Sequence, residues 1–100
     1  MTVRRIPPVD AEVIEALHYY RAIEPKLAER LTAEFEACIA RIVHFPLGWK
    51  LVAPNLRQCV VKGFPYVIIY TVQAEDIVII AFANTHRRPG YWRDRLSSML

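Results

Sequence analysis

Eight consecutive residues near the end of the chain concentrate groups that bind anions and carry protons: His86-Arg87-Arg88-Pro89-Gly90-Tyr91-Trp92-Arg93. Guanidinium groups hold phosphates and stabilise charge that develops on them, while imidazole and phenol can move protons. Arg57 and Lys62 add two cations further up the chain. Such a set suits metal-free phosphodiester cleavage, with Arg57, His86, Arg87 and Tyr91 as the catalytic candidates. It also suits a docking face on which no bond is made, with Arg87, Arg88, Tyr91, Trp92 and Arg93 as the contacts. Structural roles compete with both. Tyr66 and Tyr70 read as packing residues, Arg57 can pair with a carboxylate such as Asp94, and Tyr91 and Trp92 can pin the chain end onto a sheet. Arg87 and Arg88 are the strongest functional candidates, because adjacent guanidinium groups are poor core material.

Charge is distributed to match. The formal net charge of +3 divides into −1 over residues 1–44, with six Lys/Arg against seven Asp/Glu, and +4 over residues 45–100, with seven against three. A basic half favours a polyanion or an acidic protein partner. At 54% hydrophobic residues the chain is too apolar to be disordered. No apolar run approaches the roughly 20 residues of a membrane helix, and Met1 to Pro8 lack the apolar segment of a signal peptide. The expectation is one cytoplasmic domain spanning residues 1–100, with no membrane association. Cys38 and Cys59 lack zinc-site spacing and His companions, and each sits at an apolar position, so they read as two buried free thiols. The three histidines are far apart; no metal and no cofactor are expected.

The elements that must position the basic cluster follow from spacing. Arg57 to Lys62, Tyr66 to Gln73 and Ile77 to Ala83 are β-branched and aromatic runs separated by Gly63-Phe64-Pro65 and Ala74-Glu75-Asp76, the pattern of an antiparallel meander. Within them Val60, Val67, Ile69, Ile77, Ile79 and Ala81 alternate against Val61, Ile68, Tyr70, Val78, Ile80 and Phe82. Both faces of the second and third runs are apolar, so one face needs a cover other than the helices: the chain ends or a partner. Upstream, Asp10 reads as an N-cap, and Val13, Leu17 and Tyr20, widened by Ile14, predict a helix over Ala11–Ile23. Glu24-Pro25 restarts the chain, and Ala28, Leu31, Phe35, Cys38, Ile39 and Ile42 predict a second helix over Pro25–His44. Val3 to Ile6 reads as a short strand stopped by Pro7-Pro8. Leu47 to Asn55 reads as irregular. Together these give an α+β domain: an N-terminal antiparallel helical hairpin packed on a small antiparallel sheet.

The helical hairpin, the pattern carried by Arg57, Lys62, Gly63, Phe64, Pro65, Tyr66, Ile68 and Tyr70, and the final strand running into His86-Arg87-Arg88-Pro89 and Tyr91-Trp92 resemble the RelE/ParE superfamily of type II toxin–antitoxin toxins, over Val9 to about Leu96. That resemblance implies the RelE/ParE-like fold and a cognate antitoxin. The antitoxin's DNA-binding part would repress the operon and its C-terminal segment would wrap the toxin in a hetero-oligomer, with Tyr19, Tyr20 and Trp49 as contact candidates. It further implies growth arrest, a plasmid-stabilisation role, and one of two targets. RelE-like members are ribosome-dependent mRNA endoribonucleases; ParE-like members are DNA gyrase inhibitors. RelE-like nucleases carry lysines along the strand before the hairpin turn and an Arg after the turn's tyrosine. Here those places resemble Gln58, Val60 and Val67, which moves the reading to the ParE-like branch. An inactive interaction domain of the same fold is a further alternative.

Overall fold

The structure, a computed structural model, describes residues 1–97. Eight elements follow in order: β1 (Val3–Arg5), α1 (Val9–Ile23), α2 (Pro25–His44), β2 (Lys50–Ala53), β3 (Leu56–Val60), β4 (Tyr66–Gln73), β5 (Asp76–Asn84) and α3 (Arg93–Ser97). The sheet has the order β1-β5-β4-β3-β2. Strands β2 to β5 are antiparallel, as the sequence predicts; β1 joins parallel to β5, Val3 beside Ile77 and Arg5 beside Ile79, and makes the sheet mixed.

Both helices bury one stripe against the sheet. On α2 the buried residues are Ala28, Leu31, Phe35, Cys38 and Ile42, spaced three or four apart as one helical face requires. Proline at its first position leaves no donor unmet there. On α1 the stripe is Val9 and Ala16, flanked by the half-buried Val13, Leu17 and Tyr20. Two expectations change on α1. Asp10 lies inside the helix, which starts at Val9 after the cis Pro7-Pro8 peptide, so it is no N-cap; it pairs instead with Arg5 at 3.2 Å. Ile14 faces solvent rather than widening the stripe.

The helices cover one sheet face, where Leu31, Phe35, Ile68, Tyr70 and Phe82 share a core with Ile39 at its edge. The other face holds a second apolar cluster of Leu56, Val67, Ile69, Val78, Ile80, Ala81, Ala83 and Trp92. The chain end therefore supplies part of the cover that the doubly apolar strands demand. Strict alternation fails in β5. Ile77 and Ile79 lie on the helix side with Ile68 and Tyr70, and Val78 and Ile80 on the outer face, the reverse of the expected grouping. A bulge opposite Ile69 and Tyr70 then puts Ala81 beside Ile80 on the outer face and Phe82 on the helix side. The segment read as irregular contains β2, hairpinned to β3 through Pro54-Asn55, with Asn55 at φ 62°. Asn tolerates that left-handed conformation.

Candidate functional site

The basic cluster leaves the end of β5 as a tip built from its own turns. The Asn84 side-chain oxygen accepts from the His86 amide at 2.8 Å, Thr85 N–H and hydroxyl both donate to the Pro65 carbonyl, and Arg87 N–H returns to the Asn84 carbonyl. The β4–β5 strand ends thus hold residues 84–87 in place. Gly90 follows at φ 79°, where a Cβ would lie 2.9 Å from Arg93 Nε; this turn admits only glycine without displacement.

Beyond it the chain folds back. The Arg87 guanidinium stacks 3.9 Å above the Tyr91 ring, which also receives Arg95 at 5.3 Å. Tyr91 donates its hydroxyl to Glu12 Oε2 at 3.2 Å. Burial raises the Tyr91 pKa above the ordinary phenol value, and the neighbouring Glu12 charge raises it further. Arg87, Arg88 and His86 are exposed, whereas Trp92 is 7% exposed and belongs to the outer-face core. Trp92 thus pins the chain end onto the sheet while also lining a groove beside the tip.

The Arg87–Tyr91 pair forms a ridge between two hollows, since both residues line each of them. On one side a hollow of about 370 Å³ meets Glu12, Glu15, Tyr19, Tyr66 and His86. On the other a groove of about 530 Å³ runs over the outer sheet face. Its floor is Val52, Gln58, Val60, Val67, Ile69 and Ala83, and its rim carries Arg87, Arg88 and Arg93. Gln58, Val60 and Val67, the places where basic residues were weighed in the sequence, all face this groove, so the floor carries no cation among the described residues.

The four nuclease candidates are not assembled. His86, Arg87 and Tyr91 gather at the tip. Arg57 donates to the Trp49 carbonyl at 2.7 Å and lines a separate hollow with Leu47, Leu51 and Thr71, so its partner is a backbone oxygen rather than Asp94. Tyr66 stacks on Phe82 at 4.4 Å and Tyr70 donates to the Pro46 carbonyl at 2.6 Å, both as packing residues. Of the candidates for partner contact, Tyr19 is 61% exposed; Tyr20 leans edge-on against Phe64, and Trp49 is tied to the Arg41 carbonyl. Among the described residues, no three His, Cys, Asp or Glu could hold a metal ion, and no helix is long and apolar enough to cross a membrane.

Sequence reasoning missed Glu12 and Arg95. Arg95 forms a two-toothed ion pair with Glu12, Nη1 to Oε1 and Nη2 to Oε2, both at 3.0 Å. Their separation in sequence left no local signal.

Comparison with known proteins agrees with this architecture. The model of the ParE toxin of type II toxin–antitoxin systems, parDE, matches residues 4–89. Among solved structures, a chain described as the chromosomal ParDE TA system from P. aeruginosa superposes with a TM-score of 0.74 at 13% identity, covering 86% of this chain and 97% of that one. No curated protein matches in sequence.

Proposed function

Because the chain belongs to the ParE toxin family of type II toxin–antitoxin systems, we propose that it inhibits DNA gyrase without cleaving any bond and that a cognate antitoxin neutralises it in the cytoplasm. The observation that carries this reading is the outer-face groove: cations at its rim, an uncharged floor of Gln58, Val60 and Val67. A phosphodiester laid along that floor would meet apolar side chains where a nuclease needs charge to hold it. Arg57 is at another part of the sheet, and the Tyr91 hydroxyl is committed to Glu12. Exposed Arg87, Arg88 and Arg93 remain as a docking tip for an acidic or DNA-bearing surface.

The antitoxin part of the proposal rests on the same groove and on Tyr19. A segment with apolar anchors and acidic flanks fits a floor of valine and isoleucine rimmed by arginine. Its association would be faster at low salt.

One experiment separates the readings. The purified protein is supplied to a gyrase supercoiling assay and, separately, to translating ribosomes. Loss of supercoiling with intact mRNA is the expected outcome. Codon-specific mRNA cuts with normal supercoiling would establish the ribosome-dependent nuclease instead. Activity in neither, with no growth arrest on expression, would establish an inactive interaction domain.

A further inference from the structure

The chain's two cysteines, 21 positions apart, meet face to face across the α2–β3 packing interface. Cys38 and Cys59 are free and buried, at 0% and 1% exposure. Cys38 Sγ lies within donating distance of the Cys59 and Val60 carbonyls, 3.6 and 3.7 Å away, which brings the two side chains together across the interface. Arg41, almost one turn further along α2, extends over the pair and donates Nη2 to the Val60 carbonyl at 3.1 Å. We propose that Cys38 and Cys59 form a peroxide-responsive dithiol that closes to a disulfide and staples α2 to β3.

Two features separate this pair from thiols buried only for packing. Burial alone raises thiol pKa values and makes cysteines inert. Here the Cys38 thiol hydrogen-bonds Cys59, and with help from Arg41 the Cys59 pKa falls to about 7, while Cys38 is pushed up by the same contact and by burial. One sulfur is thus prepared as the attacking thiolate and its neighbour as the retained thiol. Access needs one movement. The Arg41–Val60 contact is exposed, so shifting one flexible side chain opens this edge of the pair to a small oxidant.

The chemistry balances with hydrogen peroxide as the oxidant. Cys59 thiolate attacks one peroxide oxygen, the O–O bond breaks, and hydroxide leaves and takes a proton as water. Cys59 is then a sulfenic acid, oxidised by two electrons. Cys38 sulfur attacks Cys59 sulfur, the S–S bond forms, the S–O bond breaks, and the departing hydroxide takes the Cys38 proton as a second water. The two sulfurs close to a bond of about 2 Å. The new loop, residues 38–59, contains β2 and the turn before it. Because Gln58 and Val60 on β3 contribute to the groove floor, the staple acts on a strand that shapes it.

The test treats the full-length folded chain with stoichiometric hydrogen peroxide and reads intact mass, a non-reducing peptide map and a thermal melt. The expected product has lost two hydrogens, links Cys38 to Cys59 within one chain, reverts with dithiothreitol, and melts about 5–15 °C higher, as a closed loop of this size warrants. Cys38→Ser should instead accumulate a sulfenic acid at Cys59 that dimedone captures. Added oxygens without a cross-link in the wild type, a link between chains, or thiols that react only after denaturation would each overturn the proposal.

Discussion

Glu12 and Arg95, 83 residues apart, jointly stand in for a length of missing strand beside β5. The short β1 pairs with β5 only as far as Ile79, whose carbonyl accepts from Ile6 N–H. The next groups along that edge are the Ile80 carbonyl and the Phe82 amide. Arg95 Nη1 donates to the first at 3.1 Å and Glu12 Oε1 accepts from the second at 3.1 Å. An ion pair thereby satisfies backbone groups that burial would otherwise penalise. Removing one partner strands the other charge at low exposure, 12% for Glu12 and 18% for Arg95. Glu12→Ala should cost about 3–5 kcal/mol in urea denaturation. Adding Arg95→Met should recover part of that loss, with a coupling of about 1–3 kcal/mol. Strict additivity of the two changes would show that the pair does not act as a unit.

Phe35 sits in the middle of the α2 stripe and meets Phe82 edge-on at 5.6 Å. Phe35→Ala removes that contact and leaves a cavity beneath both helices. The expected loss is about 3–5 kcal/mol, read as a lowered denaturation midpoint at unchanged slope. An unmoved midpoint would place Phe35 outside the cooperative core.

Charge reversal at the tip tests the docking reading. Arg88→Glu should weaken gyrase inhibition on the order of tenfold or more, with the remaining activity less sensitive to salt. Tyr91→Phe should leave inhibition nearly intact while costing about 1 kcal/mol of stability, the worth of the hydrogen bond to Glu12. On a nuclease mechanism the same change would reduce the rate by about 10²–10⁴. The two readings thus diverge on one hydroxyl group.

Alkaline pH should loosen the structure through Tyr70. Burial pushes its pKa from 10.0 up to about 12, partly opposed by Arg57. A group whose folded pKa is raised contributes its full stability below the unfolded value and loses it as pH climbs through the folded one. Stability should therefore hold to about pH 10 and fall between there and pH 12. In Tyr70→Phe that part of the decline should be absent, although the variant starts lower because the Pro46 carbonyl loses its donor. Tyr20, Tyr66 and Tyr91 shift in the same direction and leave a residual slope. A decline of equal size in both proteins would remove Tyr70 from the account.

Local spacing made much of this fold legible. Apolar residues three and four apart mark α2 to its observed ends, because one wide face packs on one sheet. The runs of β4 and β5 are apolar on both sides because both sides are covered. What escaped depends on distance or on one-residue geometry. Nothing near Glu12, in the first turn of α1, signals an arginine 83 positions on. The β5 bulge leaves Ala81 and Phe82 on the faces expected for them but reverses Ile77 to Ile80, without changing the composition of the run. For β2, Leu51-Val52-Ala53 before Pro54-Asn55 was a usable hairpin signal, weakened by its length of 4 residues. At the candidate site, residue types marked His86, Arg87 and Tyr91 as neighbours. Trp92 was open to both a contact and a pinning role, because an aromatic beside arginines looks the same in sequence whether it faces solvent or the core.

The parallel contact of β1 with β5 has a consequence for the order of assembly during synthesis. The residues of β1 are made before those of the other elements described, yet the sheet offers them no neighbour except β5, which is made after every other strand. The hairpin of helices and the β3–β4 ladder can form on the growing chain by local pairing. The amino-terminal strand must wait, and Glu12 must wait longer still for Arg95. Such distant closures carry the largest chain-entropy cost and form late. A strand made before all the others is thus among the last to be fixed.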